Sequence, residues 1–242
     1  MRMTEHANFR GAYDAVLAKW PEPVESLEVA TPYGMTHINA CGPAGGKPLM
    51  LFHSGGATST VWFENVGVLA RDHRVLAIDQ INDAGRSVPS GRPVHTRDDL
   101  MAWLDAVAAG LGIASGVRLC GHSYGGWLAL DYALHSPDRV THLALLDPSG
   151  CFAGMRLSYR LRALPLFLPG PKPARMRSFL RWETGGAELD PDWYELTALA
   201  ANAKALLPRV ETGVLAGATH HTIPIGQSAT INDHLARFFS DG

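Results

Sequence analysis

The stretch that decides the reading is Leu119-Cys120-Gly121-His122-Ser123-Tyr124-Gly125-Gly126-Trp127. A short apolar run, beginning at Val117, ends in a glycine. A serine follows two residues later, flanked on its far side by two more glycines. After them "WLALDYALHSPD" carries the apolar spacing of a helix. The pattern G-x-S-x-G is weak by composition alone. Its weight comes from its place between a buried strand and a helix, where a sharp turn would leave no room for side chains on either flank. Such a turn raises the Ser123 hydroxyl above the carboxyl edge of a sheet. It also aims the N–H of Tyr124, at the helix start, toward a developing oxyanion. The bland alternative is a glycine-rich connection with an idle serine.

Working outward, the same alternation recurs. "PLMLFHS" (48–54), "RVLAIDQ" (74–80), "VRLCGHS" (117–123) and "VTHLALLDP" (140–148) are continuous apolar runs. Strands buried on both faces have this composition. Between them lie helical segments, clearest at 96–112, where Thr96 and Asp99 form a capping box with Asp in place of Glu. Upstream, residues 6–20 read as an amphipathic helix stopping at Pro21. Residues 24–42 read as two alternating strands split at Tyr33-Gly34. The sum is a single α/β domain over 1–242: a mostly parallel twisted sheet with helices on both faces. Residues 150–190 depart from the pattern. They are rich in Pro and Arg with short apolar patches, and read as a helical cap inserted into the domain.

Bulk properties set limits. The 242 residues carry a net charge of −2 and are 46% hydrophobic. That composition fits a full core, and the absence of a basic surplus argues against nucleic acid or an anionic membrane as a partner. Cys41, Cys120 and Cys151 are too few and too scattered for a disulfide framework or a zinc site. With no signal-like leader and no long apolar run, the expectation is a cytoplasmic protein. The oligomeric state is left open.

A serine hydroxyl is a poor nucleophile without a base, and the base needs an orienting acid. His220 and His221 follow a strand-like run far downstream, as a base should. His53 lies upstream of the serine, while His122 and His142 fall in or beside core strands. Adjacent histidines seldom converge on one ion, so a metal pair at 220–221 has little support.

These residues together resemble the α/β-hydrolase superfamily, in particular its small bacterial carboxylesterase-like members, over roughly residues 24–240. "LFHSGG" is similar to the family's strand followed by His-Gly-Gly. "IDQINDAGRS" is similar to its Asp-x-x-Gly-x-x-Gly-x-Ser loop, "CGHSYGG" to its nucleophile elbow, and "GATHHTIPIGQSATIN" to the segment with the catalytic histidine. Ser54 and Asn82 stand where glycine is usual. The resemblance implies the α/β-hydrolase fold with a small helical cap and a cofactor-free reaction on a small-molecule ester. Ser123 would be nucleophile. The N–H groups of Gly55 (or Gly56) and Tyr124 would form the oxyanion hole. Aligning on "GAT" favours His220 as base, and the longer "IGQSATIN" favours His221, which is preferred.

The acid is the departure. The family carries it on a loop after one more buried strand, between cap and histidine. Here residues 191–207 show only helical pattern, so a strand–loop–helix unit of roughly 30 residues is expected to be missing. Asp147, ending the strand after the nucleophile helix, is the first candidate to replace it. Its other reading is an ordinary Asp-Pro turn. Asp79, Asp83, Glu183 and Asp190 rank lower, and Asp79 is expected to anchor its own loop. The arginines of the cap (156, 160, 162, 175, 177 and 181) either favour a carboxylate-bearing substrate or form a solvated face. Two functions follow: a serine esterase, or a hydrolase-like scaffold that binds without useful turnover.

Overall fold

The computed structural model describes residues 2–21, 23–149, 151, 157–168, 172–203, 232, 235–237 and 239. Among these, seven strands form one sheet. They are β1 (Val24–Thr31), β2 (Gly34–Cys41), β3 (Lys47–Phe52), β4 (His73–Ile78), β5 (Val88–Pro89), β6 (Val117–His122) and β7 (Val140–Leu146). The order is β1-β2-β4-β3-β6-β7, with β5 paired to β2. β3, β4, β6 and β7 run parallel, while β1 and β2 form an antiparallel hairpin whose β2 also pairs antiparallel to β4. The four apolar runs are the parallel strands, as expected. The hairpin turn falls one residue earlier than the sequence suggests, because Gly34 already pairs with Thr31. Thr31 stabilises it by accepting the Tyr33 N–H and donating to the Gly34 carbonyl.

A strand's side chains alternate between faces, and the parallel strands use both. On β3, Leu49 and Leu51 enter one apolar cluster, while Met50 and Phe52 enter the other. The second cluster is closed by α3 (Arg97–Gly110) and α4 (Tyr124–His135) through Met101, Trp103, Leu104 and Leu128. α3 begins at the expected capping box, with Thr96 Oγ1 accepting the Asp99 N–H and Asp99 Oδ2 accepting the Thr96 N–H. The first cluster is closed by α1 (Arg2–Leu17), a short α2 (Val66–Leu69), α6 (Pro173–Glu183) and α7 (Pro191–Ala203). α1 starts earlier than the sequence reading and unwinds through Trp20 before Pro21. Its Phe9, Tyr13, Val16 and Trp20 face the core at helical spacing.

Tyr13 enters a buried polar knot. Its hydroxyl donates to Asp79 Oδ2 at 2.9 Å and accepts from Asn39 Nδ2 at 2.6 Å, while Asn39 also donates to Ser59 Oγ. Burial first, then the Asp79 carboxylate, push the Tyr13 phenol well above its ordinary pKa. Arg86 lies over the Tyr13 ring at 4.3 Å.

The region after β7 is helical, as its composition suggests: α5 (Leu157–Ala163), a 3₁₀ turn (Leu164–Phe167), then α6 and α7. α6 sends Met176, Phe179 and Leu180 into the same cluster as α1 and α7. β7 lies at the sheet's edge among the described residues, pairing there with β6, and its side chains are partly exposed throughout.

Candidate active site

β6 ends at His122 and α4 begins at Tyr124, so Ser123 alone makes the turn. It does so at φ 56° and ψ −117°, a conformation that L-residues seldom adopt outside functional sites. The flanking glycines explain how the turn closes. A Cβ on Gly121 would stand 2.1 Å from the Gly125 carbonyl oxygen, and one on Gly125 would stand 2.3 Å from the Phe52 oxygen. Both partners are backbone, so neither position accepts a side chain without moving strands.

The turn is stitched to the end of β7. The Ser123 N–H donates to Leu146 O at 2.9 Å, and Ser123 O accepts the Ser149 N–H at 3.1 Å. The two side-chain oxygens, Ser123 Oγ and Ser149 Oγ, lie 3.0 Å apart. Ser149 is a contact that sequence reasoning missed. The signal was available in the parallel register, which pairs His122 with Leu146 and so sets the two following turns side by side.

Asp147 stands between Leu146 and these serines. It is half-buried and at φ 44°, the only described non-glycine besides Ser123 with positive φ. It faces the cap. The Tyr159 hydroxyl of α5 is held far above its ordinary pKa by burial, then by Glu183 and by Asp147.

The two candidate oxyanion donors come from different elements. Gly55 follows β3. The N–H of its neighbour Gly56 is committed to Asp83 Oδ2 at 2.8 Å, which favours Gly55 over Gly56 for this role. Tyr124 occupies the first position of α4, where a backbone N–H has no acceptor within the helix. Its phenol stacks on Trp127, and burial, then Asp83, raise its pKa.

The remaining described sequence candidates are held by hydrogen bonds or packing elsewhere in the fold. His53 is fully buried; its Nδ1 bonds the Ser54 carbonyl and its Nε2 accepts the Gln80 N–H. Asp79 is also fully buried and accepts the Tyr13 hydroxyl and the N–H groups of Ser59 and Arg86, anchoring its loop as expected. Glu183 accepts the Tyr159 hydroxyl. Asp190 accepts the Trp193 N–H at the start of α7 and pairs with Lys19. His122 is buried and His142 half-buried in the sheet. His220 and His221 lie outside the described residues.

A strained serine between a parallel strand and a helix, with glycines on both sides that admit no Cβ, defines a nucleophile-elbow arrangement. A family model described as "alpha/beta hydrolase fold" matches residues 47–212, and the chain belongs to that family. It is similar to the carboxylesterase YbfK of Bacillus subtilis (strain 168), 33% identical over 177 residues, or 73% of this chain and 58% of that protein. It is also 32% identical over 170 residues to the uncharacterized carboxylesterase nap of the same organism, covering 70% and 55% of the two. The chain thus matches little more than half the length of these curated relatives. Among solved structures, the fold superposes on the B. subtilis carboxylesterase CesB (YbfK) with a TM-score of 0.87 at 23% identity, covering 99% of each chain. The B. subtilis naproxen esterase gives 0.82 at 24% identity, covering 97% and 98%.

Proposed function

We propose that this protein is a serine-dependent carboxylesterase acting on small-molecule esters. One observation carries the reading. Ser123 is held in a strained conformation by two glycines that admit no side chain, at the only point where β6 meets α4. A connection without chemical duty has no reason to keep that strain. The relatives named as carboxylesterases support the same reaction class.

In this reading Ser123 Oγ attacks the ester carbonyl carbon and its proton passes to His221. The tetrahedral oxyanion accepts the N–H groups of Gly55 and Tyr124. The C–O bond to the alcohol breaks and the imidazolium returns its proton to the departing oxygen, leaving an acyl-serine. Water, deprotonated by the same histidine, attacks that acyl group and frees the acid and Ser123. Asp147 orients the histidine. Its support is its position in the turn that contacts the Ser123 backbone and hydroxyl through Ser149.

Hydrolysis of p-nitrophenyl butyrate tests the proposal. Ser123→Ala is expected to remove turnover above background, and Asp147→Asn to lower kcat by about 10⁴-fold, the scale seen when a triad acid is lost. Folded wild-type protein that turns over no faster than Ser123→Ala would reject the enzyme and leave the ligand-binding scaffold.

A further inference from the structure

Four leucines between residues 157 and 168 are exposed to a degree unusual for a globular surface: Leu157 by 68%, Leu161 by 61%, Leu164 by 54% and Leu168 by 49%. Leu157 and Leu161 share one face of α5 at helical spacing, and Leu164 and Leu168 open and close the 3₁₀ turn that follows. Exposed leucines met singly, such as Leu134 on α4, are ordinary; four in one short segment are not.

The opposite side of the same segment is packed. Tyr159 stacks edge-on against Phe179 at 5.2 Å and donates to Glu183, and Ala163 is buried. Tyr159 and Ala163 thus pack inward while the four leucines stay exposed.

The charges of the segment are cationic. Arg160, Arg162, Lys172, Arg175 and Arg181 fall between Leu157 and Trp182 with no Asp or Glu among them, and Arg177 there is paired with Glu195, in a chain whose net charge is −2. Arg160 and Arg162 are exposed on the segment itself, and Arg181 on α6. Arg175 Nη1 donates to the carbonyls of Pro165 and Leu168, which holds the end of the segment in place. A second copy docked leucine to leucine would bring like-charged arginines together. An apolar ridge flanked by cations instead complements a surface with anionic headgroups over hydrocarbon.

We infer that the outer face of the cap, residues 157–168 with their flanking arginines, docks the protein on anionic lipid surfaces. The net charge of the whole chain conceals this, because the acids that offset the cap's cations lie elsewhere in the sequence.

Flotation of the full chain with lipid vesicles tests it. Binding is expected to vesicles of phosphatidylcholine with 30% phosphatidylglycerol, little to phosphatidylcholine alone, and less at high salt. The double variant Leu157→Ser/Leu161→Ser, checked as folded by circular dichroism, should weaken binding at least about tenfold. Arg160→Glu, which keeps the leucines, should weaken it less. No flotation with either vesicle overturns the inference, as does binding indifferent to phosphatidylglycerol. A dimer in sedimentation velocity that the double variant dissolves would also overturn it, assigning the leucines to self-association.

Discussion

The elbow at Ser123 and the helical region after β7 are held by different forces. At the elbow the backbone itself is the lock: Gly121 and Gly125 let two strand ends and a helix start approach to distances where no Cβ fits. In the helical region side-chain charges add to the apolar packing. Arg177 makes a forked pair with Glu195 from α6 to α7, Lys19 just after α1 reaches Asp190 and Asp192 at the start of α7, and Arg175 ties the turn after α5. Steric locks are indifferent to salt and acid, whereas ionic ones are not. The strained turn at Ser123 is therefore the rigid part, and the helical region after β7 the part that can yield.

The sharpest way to break this contrast is Gly125→Ala. The new methyl would overlap the Phe52 and His53 carbonyls, so a loss of about 3 kcal/mol or more is expected in urea unfolding. That loss should be the same at low and high salt. Tolerance of alanine there would mean the elbow is not sterically locked.

Arg175→Ala should cost about 1 kcal/mol, felt locally. Hydrogen exchange should speed up in residues 164–168 while β3 and β6 stay protected. Protection lost evenly across the sheet would show that the helical region and the elbow form one cooperative unit.

The smallest effect belongs to Lys19→Met, at about 0.5–1 kcal/mol for a partly exposed pair. Its pH dependence is diagnostic. Asp190 is pushed up by partial burial, but the Lys19 hydrogen bond and the Trp193 N–H outweigh this and hold its pKa below the ordinary value. A carboxyl depressed in the folded state lends stability that is full above its unfolded pKa, about 4, and fades as pH falls through the folded value. Wild type should thus lose part of its advantage over Lys19→Met between pH 4 and more acid conditions, read from thermal midpoints. A constant gap across that range would show that Lys19 acts by packing, through its position over Phe63.

The parallel strands and the elbow were legible because their signals are local: an apolar run with a glycine-bounded serine demands one geometry. The capping box at Thr96 was equally local, two side chains three residues apart. Ser149 was not, since its contact with Ser123 arises from the register of β6 on β7, a relation between distant segments. The exposed leucines were hidden for another reason. Leu157, Leu161, Leu164 and Leu168 have the spacing of a core-facing helix, and spacing alone does not say whether that face turns inward. Of the helical pattern read over 191–207, α7 forms Pro191–Ala203, and residues 204–207 lie outside the described residues.

The knot around Tyr13 bears on the order of assembly. Tyr13 meets Asp79 across 66 residues of chain and Asn39 across 26. α1 therefore has no seat until β2 and β4 are in place. Its apolar face stays unburied while the strands between are laid down. Non-local closures of this kind slow folding. Once seated, α1 supplies the hydroxyl that Asp79 and Asn39 would otherwise lack, so a helix that precedes the sheet in sequence acts as a late plug.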